Sequence, residues 1–238
     1  MRRALSIFCS QLAVYFAALA FTLICPQPGM AGAWPRTKGD GFLASASRIT
    51  ATTQDGPYGV YSTAYFEYGI GRDYTAGADF GRGISGKTKS ILFLRAAPFG
   101  LQGGHLFALE IGVGEIAGAA TLRPGLSYGH GFSGASGIIG ALSNGSGWAS
   151  VETYAEINLT NGRTDFKADF TLGLNHGARL KSIVQLQTGK SRGDPLFMRL
   201  APSIVIKAGK LGQIELGATA DIAGGHQLGL KLGLWQDF

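Results

Sequence analysis

Residues 165–174 read Asp-Phe-Lys-Ala-Asp-Phe-Thr-Leu-Gly-Leu. Phe166, Ala168, Phe170, Leu172 and Leu174 occupy every second position, and Asp165, Lys167, Asp169, Thr171 and Gly173 fill the places between. A period of two belongs to a β-strand whose faces meet different surroundings, because successive side chains of an extended chain point to opposite sides.

The same alternation recurs on both sides of this stretch. Val151, Thr153, Ala155, Ile157 and Leu159 alternate with Glu152, Tyr154, Glu156 and Asn158. Ile214, Leu216, Ala218, Ala220 and Ile222 alternate with Glu215, Gly217, Thr219 and Asp221, and Phe107, Leu109, Ile111 and Val113 with Ala108, Glu110, Gly112 and Gly114. Turn residues separate the segments: Asp55-Gly56-Pro57, Gly71-Arg72-Asp73, Asn161-Gly162, Gly209-Lys210 and Gly224-Gly225. About twelve strands are expected, near 41–52, 58–70, 73–80, 88–96, 104–115, 119–130, 147–159, 163–175, 180–189, 196–208, 210–222 and 225–238, with ten or fourteen also compatible. Segments of roughly ten residues, apolar on one side and charged or small on the other, are the pattern of a transmembrane β-barrel. The expectation is one all-β domain, an up-and-down antiparallel barrel, over residues 34–238.

Two features strain this scheme. Pro124 and Pro202 fall inside strands, where a missing N–H removes a ladder bond, so bulges or strand ends are expected there. Residues 131–147 make a long loop on the side where turns should be short, so either a strand is miscounted or the loop folds inward.

Composition points the same way. The chain has 38 glycines in 238 residues and only 15% charged residues, against a usual charged share of about a quarter. A water-soluble protein so poor in charge would expose an unusually apolar surface; a barrel in lipid is expected to. Residues 1–33 differ in kind: Arg2 and Arg3, an apolar run over 12–24, helix-breaking Pro26, Pro28 and Gly29, then Ala31-Gly32-Ala33. This is the order of a secretory signal peptide, with cleavage expected after Ala33. The apolar run is shorter than the roughly 20 residues of a membrane-spanning helix. Cys25 follows Thr22-Leu23-Ile24, a poor lipoprotein site. Both cysteines, Cys9 and Cys25, go with the leader, and losing Arg2 and Arg3 takes the formal charge from +6 to +4. With basic residues scattered rather than clustered, nucleic acid is not an expected partner.

At the other terminus, Leu228, Leu230, Leu232 and Leu234 alternate with Gln227, Gly229, Lys231, Gly233 and Trp235, and the chain stops at Phe238. This strand resembles the terminal β-signal of bacterial outer-membrane proteins, which ends on an aromatic residue and is read by the barrel-assembly machinery. The resemblance implies that Leu230, Leu232, Leu234 and Phe238 serve assembly, and that the location is the Gram-negative outer membrane, with its lipid as a partner. Residues 34–42, Trp-Pro-Arg-Thr-Lys-Gly-Asp-Gly-Phe, are similar to the start of small outer-membrane transporters of the phenol meta-degradation type. That similarity implies passage of small molecules.

Strand parity turns Glu110, Arg123, Glu152, Glu156, Asp165, Lys167, Asp169, Glu215, Asp221 and Lys231 inward as candidate lumen residues. Arg123, Lys167, Arg199, Lys207 and Lys231 are the expected counter-charges. Ion pairs in a small barrel either fill it or line a narrow pore. The expected function is therefore a narrow channel or transporter for small solutes; the alternative is a non-conducting structural barrel with a charge-filled lumen. A lipid-modifying enzyme is the third reading. It would need His130 beside Ser133 on the outer wall, but His130-Gly131-Phe132-Ser133 and Ser143-Asn144-Gly145 lie about ten residues apart. His105, His130, His176 and His226 lack metal-ligand spacing. No catalytic residue, metal or cofactor is expected. Tyr58, Tyr61, Phe66, Tyr68, Tyr128, Trp148, Trp235 and Phe238, near strand ends, are expected in the aromatic girdles of a barrel.

Overall fold

The alternating segments form strands. A computed structural model describes residues 32–52, 58–101, 104–143 and 145–238. The leader reading of residues 1–31, with both cysteines, and the turn Asp55-Gly56-Pro57 lie outside the described residues. The strands are β1 (Gly41–Thr52), β2 (Gly59–Gly69), β3 (Tyr74–Gly83), β4 (Thr88–Leu101), β5 (His105–Ile116), β6 (Ala119–Phe132), β7 (Gly147–Asn158), β8 (Thr164–Asn175), β9 (Leu180–Lys190), β10 (Phe197–Lys207), β11 (Gln213–Ala223) and β12 (Gln227–Asp237). Each pairs antiparallel with its sequence neighbours, and β1 pairs with both β2 and β12, so the 12 strands close into a barrel. Closure pairs the backbone of every strand on both sides, which lipid requires because it offers no hydrogen-bond partner.

The two surfaces of the wall are inverted relative to a water-soluble protein. Leu92, Leu94, Leu109, Val113, Phe170, Leu216, Leu228, Leu230 and Leu232 are exposed, whereas Glu67, Arg95, Glu110, Arg123, Ser127, Glu215 and Thr219 are buried. Leu230 is 72% exposed while Arg95 is 1% exposed. Apolar residues face out and polar residues face in, the arrangement of a barrel solvated by hydrocarbon.

Gly41 and Phe238 hydrogen-bond to each other's backbone and mark one rim, here called the terminal end; the opposite rim is the distal end. Two positions depart from expectation. Pro124 and Pro202 sit mid-strand without a register shift: Ile111 pairs with Pro124 and Val184 with Pro202, and the ladder merely lacks pairs on the β7 and β11 sides. The irregularities lie elsewhere, between Ala96 and Phe99 (spanning Pro98) and between Met198 and Arg199. The long loop is neither a miscounted strand nor an inward fold. It carries a short helix, α1 (Gly137–Leu142), at the terminal end, with Ile138, Ile139 and Leu142 exposed.

Candidate functional site: the barrel lumen

The inward positions of β2 to β6 build one wall of the lumen. From the terminal end, a ladder of alternating charges runs along it. Arg36, just before β1, places Nε 2.6 Å from Glu67 Oε2. Glu67 Oε1 meets Arg95 at 2.5 Å, and Arg95 reaches Glu110 at 2.8 Å. Glu110 holds Arg123 at 2.9 Å, Arg123 meets Asp79 at 2.6 Å, and Asp79 meets Lys89 at 2.6 Å. Arg95 also donates to the Tyr65 hydroxyl. The forked guanidiniums bridge two carboxylates each, which a lysine ammonium would do less well.

The wall from β7 to β12 is built of separate pairs. Lys167 contacts Glu156 at 2.7 Å, Arg199 contacts Asp221 at 2.8 Å, and Lys231 contacts Glu215 at 2.8 Å. The Trp235 indole N–H also donates to Glu215. Asp165 lies at the distal rim with Arg163 3.6 Å away. Glu152 accepts from the Tyr154 hydroxyl and the Gly32 amide, and it stands directly across the β7–β8 ladder from Asp169. All ten charged residues singled out by parity therefore sit on the inward-facing register of their strands. Among the expected counter-charges, Lys207 ends β10 exposed at the rim.

Sequence reasoning missed Arg36, Arg48, Glu67, Asp79, Lys89 and Arg95. Parity within β2 and β3 places Glu67 and Asp79 inward. In β4, however, Ile91, Leu92, Phe93 and Leu94 form an unbroken apolar run that hides which face Arg95 takes.

Near the distal half of the lumen lies a polar cavity of about 60 Å³, lined by Ala46, Arg48, Tyr61, Thr63, Gln187, Ala201, Thr219 and Lys231. Arg48 and Lys231 are directly opposite each other on β1 and β12. Lys231 is neutralised by Glu215; Arg48 has no ion pair among the described residues, its Nε is buried without a partner, and its guanidinium lies 5.8 Å from the Tyr61 ring. The hydroxyl of buried Thr219 also lacks a partner. A larger hollow of about 550 Å³ lies against Leu126, Thr153, Phe166, Ala168 and Leu196. Leu126, Thr153, Phe166 and Ala168 lie on the outward register of their strands, so it is a furrow of the outer wall.

The aromatic residues divide. Phe66, Tyr68, Tyr128 and Phe238 face outward near the terminal end, with Phe66 stacked on Phe238 at 6.1 Å. Trp148 and Trp235 instead turn inward and pack with Ile183, Val205 and Trp34, and Tyr61 lines the cavity. His105 and His130 are not dispersed: they are cross-strand neighbours with ring centroids 4.1 Å apart, and His105 Nδ1 lies 2.7 Å from the Tyr128 hydroxyl. His130 stacks on His105, and its Nδ1 has no hydrogen-bond partner, so no Ser–His couple forms through that atom.

Against solved structures, the chain is similar to the KdgM porin (TM-score 0.60, 6% identity), covering 82% of this chain and 99% of the other. It is also similar to an outer-membrane channel of the COG4313 group from Pseudomonas putida F1 (TM-score 0.61, 7% identity), covering 89% of this chain and 100% of the other. No family model matches the chain, and no curated protein matches it. The shared feature is the fold, a closed porin-like barrel.

Proposed function

We propose that this chain is exported behind an N-terminal signal peptide, inserts into the Gram-negative outer membrane, and forms a narrow channel for small solutes. The observation that carries the reading is the inverted wall, with exposed leucines outside and a charged, cavity-containing lumen inside. The barrel-assembly machinery would read the outward row Leu230, Leu232 and Leu234 together with Phe238. The fold shared with porins and channels supports passage rather than catalysis. Arg48, without an ion pair beside the cavity, sets a positive charge in the distal half, while Glu152 and Asp169, which also lack ion pairs among the described residues, set negative charge on β7 and β8, so the lumen would act on small solutes with fixed charge of both signs.

One observation favours a second reading, a non-conducting barrel: residues 32–36 lie inside the bore. The two are separated by single-channel recording of the folded protein in planar bilayers, once a heat-dependent shift on a gel has established folding. Discrete conductance steps are expected. A folded barrel that stays silent would overturn the channel reading in favour of the filled one.

A further inference from the structure

Residues 32–36 cross the bore. Arg36 is tied to β2 through Glu67 and to β3 through a 3.0 Å bond from its amide to Thr75 Oγ1. Gly32, four residues earlier, donates its amide to Glu152 Oε1 of β7 at 2.9 Å. In the ring of 12 strands, β7 stands five strands from β2 and four from β3. Between these anchors Ala33 is 0% exposed, and Trp34 packs on the Trp148, Ile183 and Val205 cluster. The segment is a strap fastened at both walls.

Its far anchor has no ion pair of its own, although the Arg95 guanidinium borders Gly32. Glu152 and Asp169 face each other across the β7–β8 ladder, and neither has an ion pair among the described residues. Among the described residues, Glu152 receives only the Tyr154 hydroxyl, at 3.1 Å, and the Gly32 nitrogen. Partly buried carboxylates call for a cation, and a charged donor bonds a carboxylate roughly twice as strongly as a neutral one. An amide at Gly32 is neutral, but a free amino terminus at the same atom is not. The bond that would have to be cut is Ala31–Gly32. Gly29 and Ala31 stand at the third and first positions before it, and both satisfy the small-residue requirement of leader removal. Cleavage after Ala33 would instead discard Gly32 together with a fully buried alanine.

We propose that the leader is removed between Ala31 and Gly32, two residues before the site that the Ala-x-Ala pattern favours, and that the resulting α-ammonium of Gly32 pairs with Glu152 to fasten the strap. The step is hydrolysis by a leader peptidase. One water is consumed, Ala31 keeps a carboxylate on the released leader, and the Gly32 nitrogen takes up protons to become the ammonium. The inference rests on the exported-barrel reading, but its readouts do not involve conduction, so the failure of one is distinguishable from the failure of the other.

The test uses the full-length chain expressed in a Gram-negative host and purified from its outer membrane. Amino-terminal sequencing and intact mass are expected to give Gly32 as the first residue. A chain starting at Trp34 or elsewhere, or one retaining its leader, overturns the cleavage proposal. The ion pair is then read by the rate of α-amine acylation near neutral pH on folded wild type and Glu152→Gln. The substitution keeps the shape and removes the charge, and it is expected to speed labelling of Gly32 at least about tenfold, a factor equivalent to about 1.4 kcal/mol. Equal rates would sink the ion pair while leaving the cleavage result intact.

Discussion

Arg95 is the residue on which one wall of the lumen turns. Its guanidinium is 1% exposed and lies between Glu67 and Glu110, both buried. Removing one partner of a buried pair leaves the other charges uncompensated, at a cost of about 3–5 kcal/mol. Arg95→Met, close in volume but neutral, is accordingly expected to lower the unfolding free energy in detergent by about that amount, whereas exposed Arg163→Met should change it by under about 1 kcal/mol. Equal small losses would mean that the ladder contributes nothing. Arg48 makes the opposite case, a cation whose neighbours leave it free to act on solutes. Arg48→Glu is expected to shift the reversal potential of the folded channel toward cation preference, and an unchanged potential would remove Arg48 from the selectivity argument. Strand parity assigns the ten charges to inward positions and supplies four of the cations that form pairs, Arg123, Lys167, Arg199 and Lys231, but it does not say which carboxylate each one meets. Which carboxylate meets Arg123 depends on register and wall curvature, and Arg36 reaches Glu67 only because the strap enters the bore.

At the scale of elements, the strands were legible because lipid and lumen impose opposite demands on alternate residues, and β12 carries that imprint on its outward row at every position except Gln236. The prolines misled because a missing donor implies a bulge by local reasoning, whereas the pairs beside Pro124 and Pro202 hold the strands in register without it. The hairpin between β5 and β6 falls where the strand boundaries put it, but its turn type was hidden. Its two residues, Ala117 (φ 51°) and Gly118 (φ 84°), both take left-handed backbone, as in a type I′ turn, yet alanine is not a residue that signals one. A left-handed alanine costs roughly 1–2 kcal/mol, so Ala117→Asn is expected to stabilise the barrel by about 0.5–1 kcal/mol in denaturant titrations. No gain would mean that the turn is held by its neighbours. On β12 the two faces give a sharper contrast. Leu232→Arg places a charge near the middle of the lipid face, at a cost of about 2–4 kcal/mol, one residue from Lys231, which the lumen accommodates beside Glu215. If arginine at 232 were tolerated as lysine is at 231, the outer surface would not be facing hydrocarbon.

The whole molecule combines a closed barrel wall with a crossed bore, and neither follows from any one element. Residues 32–36 have no strand period to announce them, so their place inside the barrel appears only once the wall is closed. Trp34 then finds Trp148 of β7, Ile183 of β9 and Val205 of β10. The strap and this apolar cluster occupy the terminal end, while the cavity beside Arg48 occupies the distal half. Solute passing through the lumen would meet the cavity first from the distal rim and the strap last. If the strap limits flow, its removal should act on conductance without disturbing the wall, because β1 begins only at Gly41 and keeps its pairing with β2 and β12. A chain lacking residues 32–36, refolded beside one beginning at Gly32, is therefore expected to keep its heat-dependent gel shift and to conduct in larger, less selective steps. Unchanged step size in a folded deletion variant would place the constriction in the charge ladder itself, with Arg95 and Arg123 as the next positions to shorten.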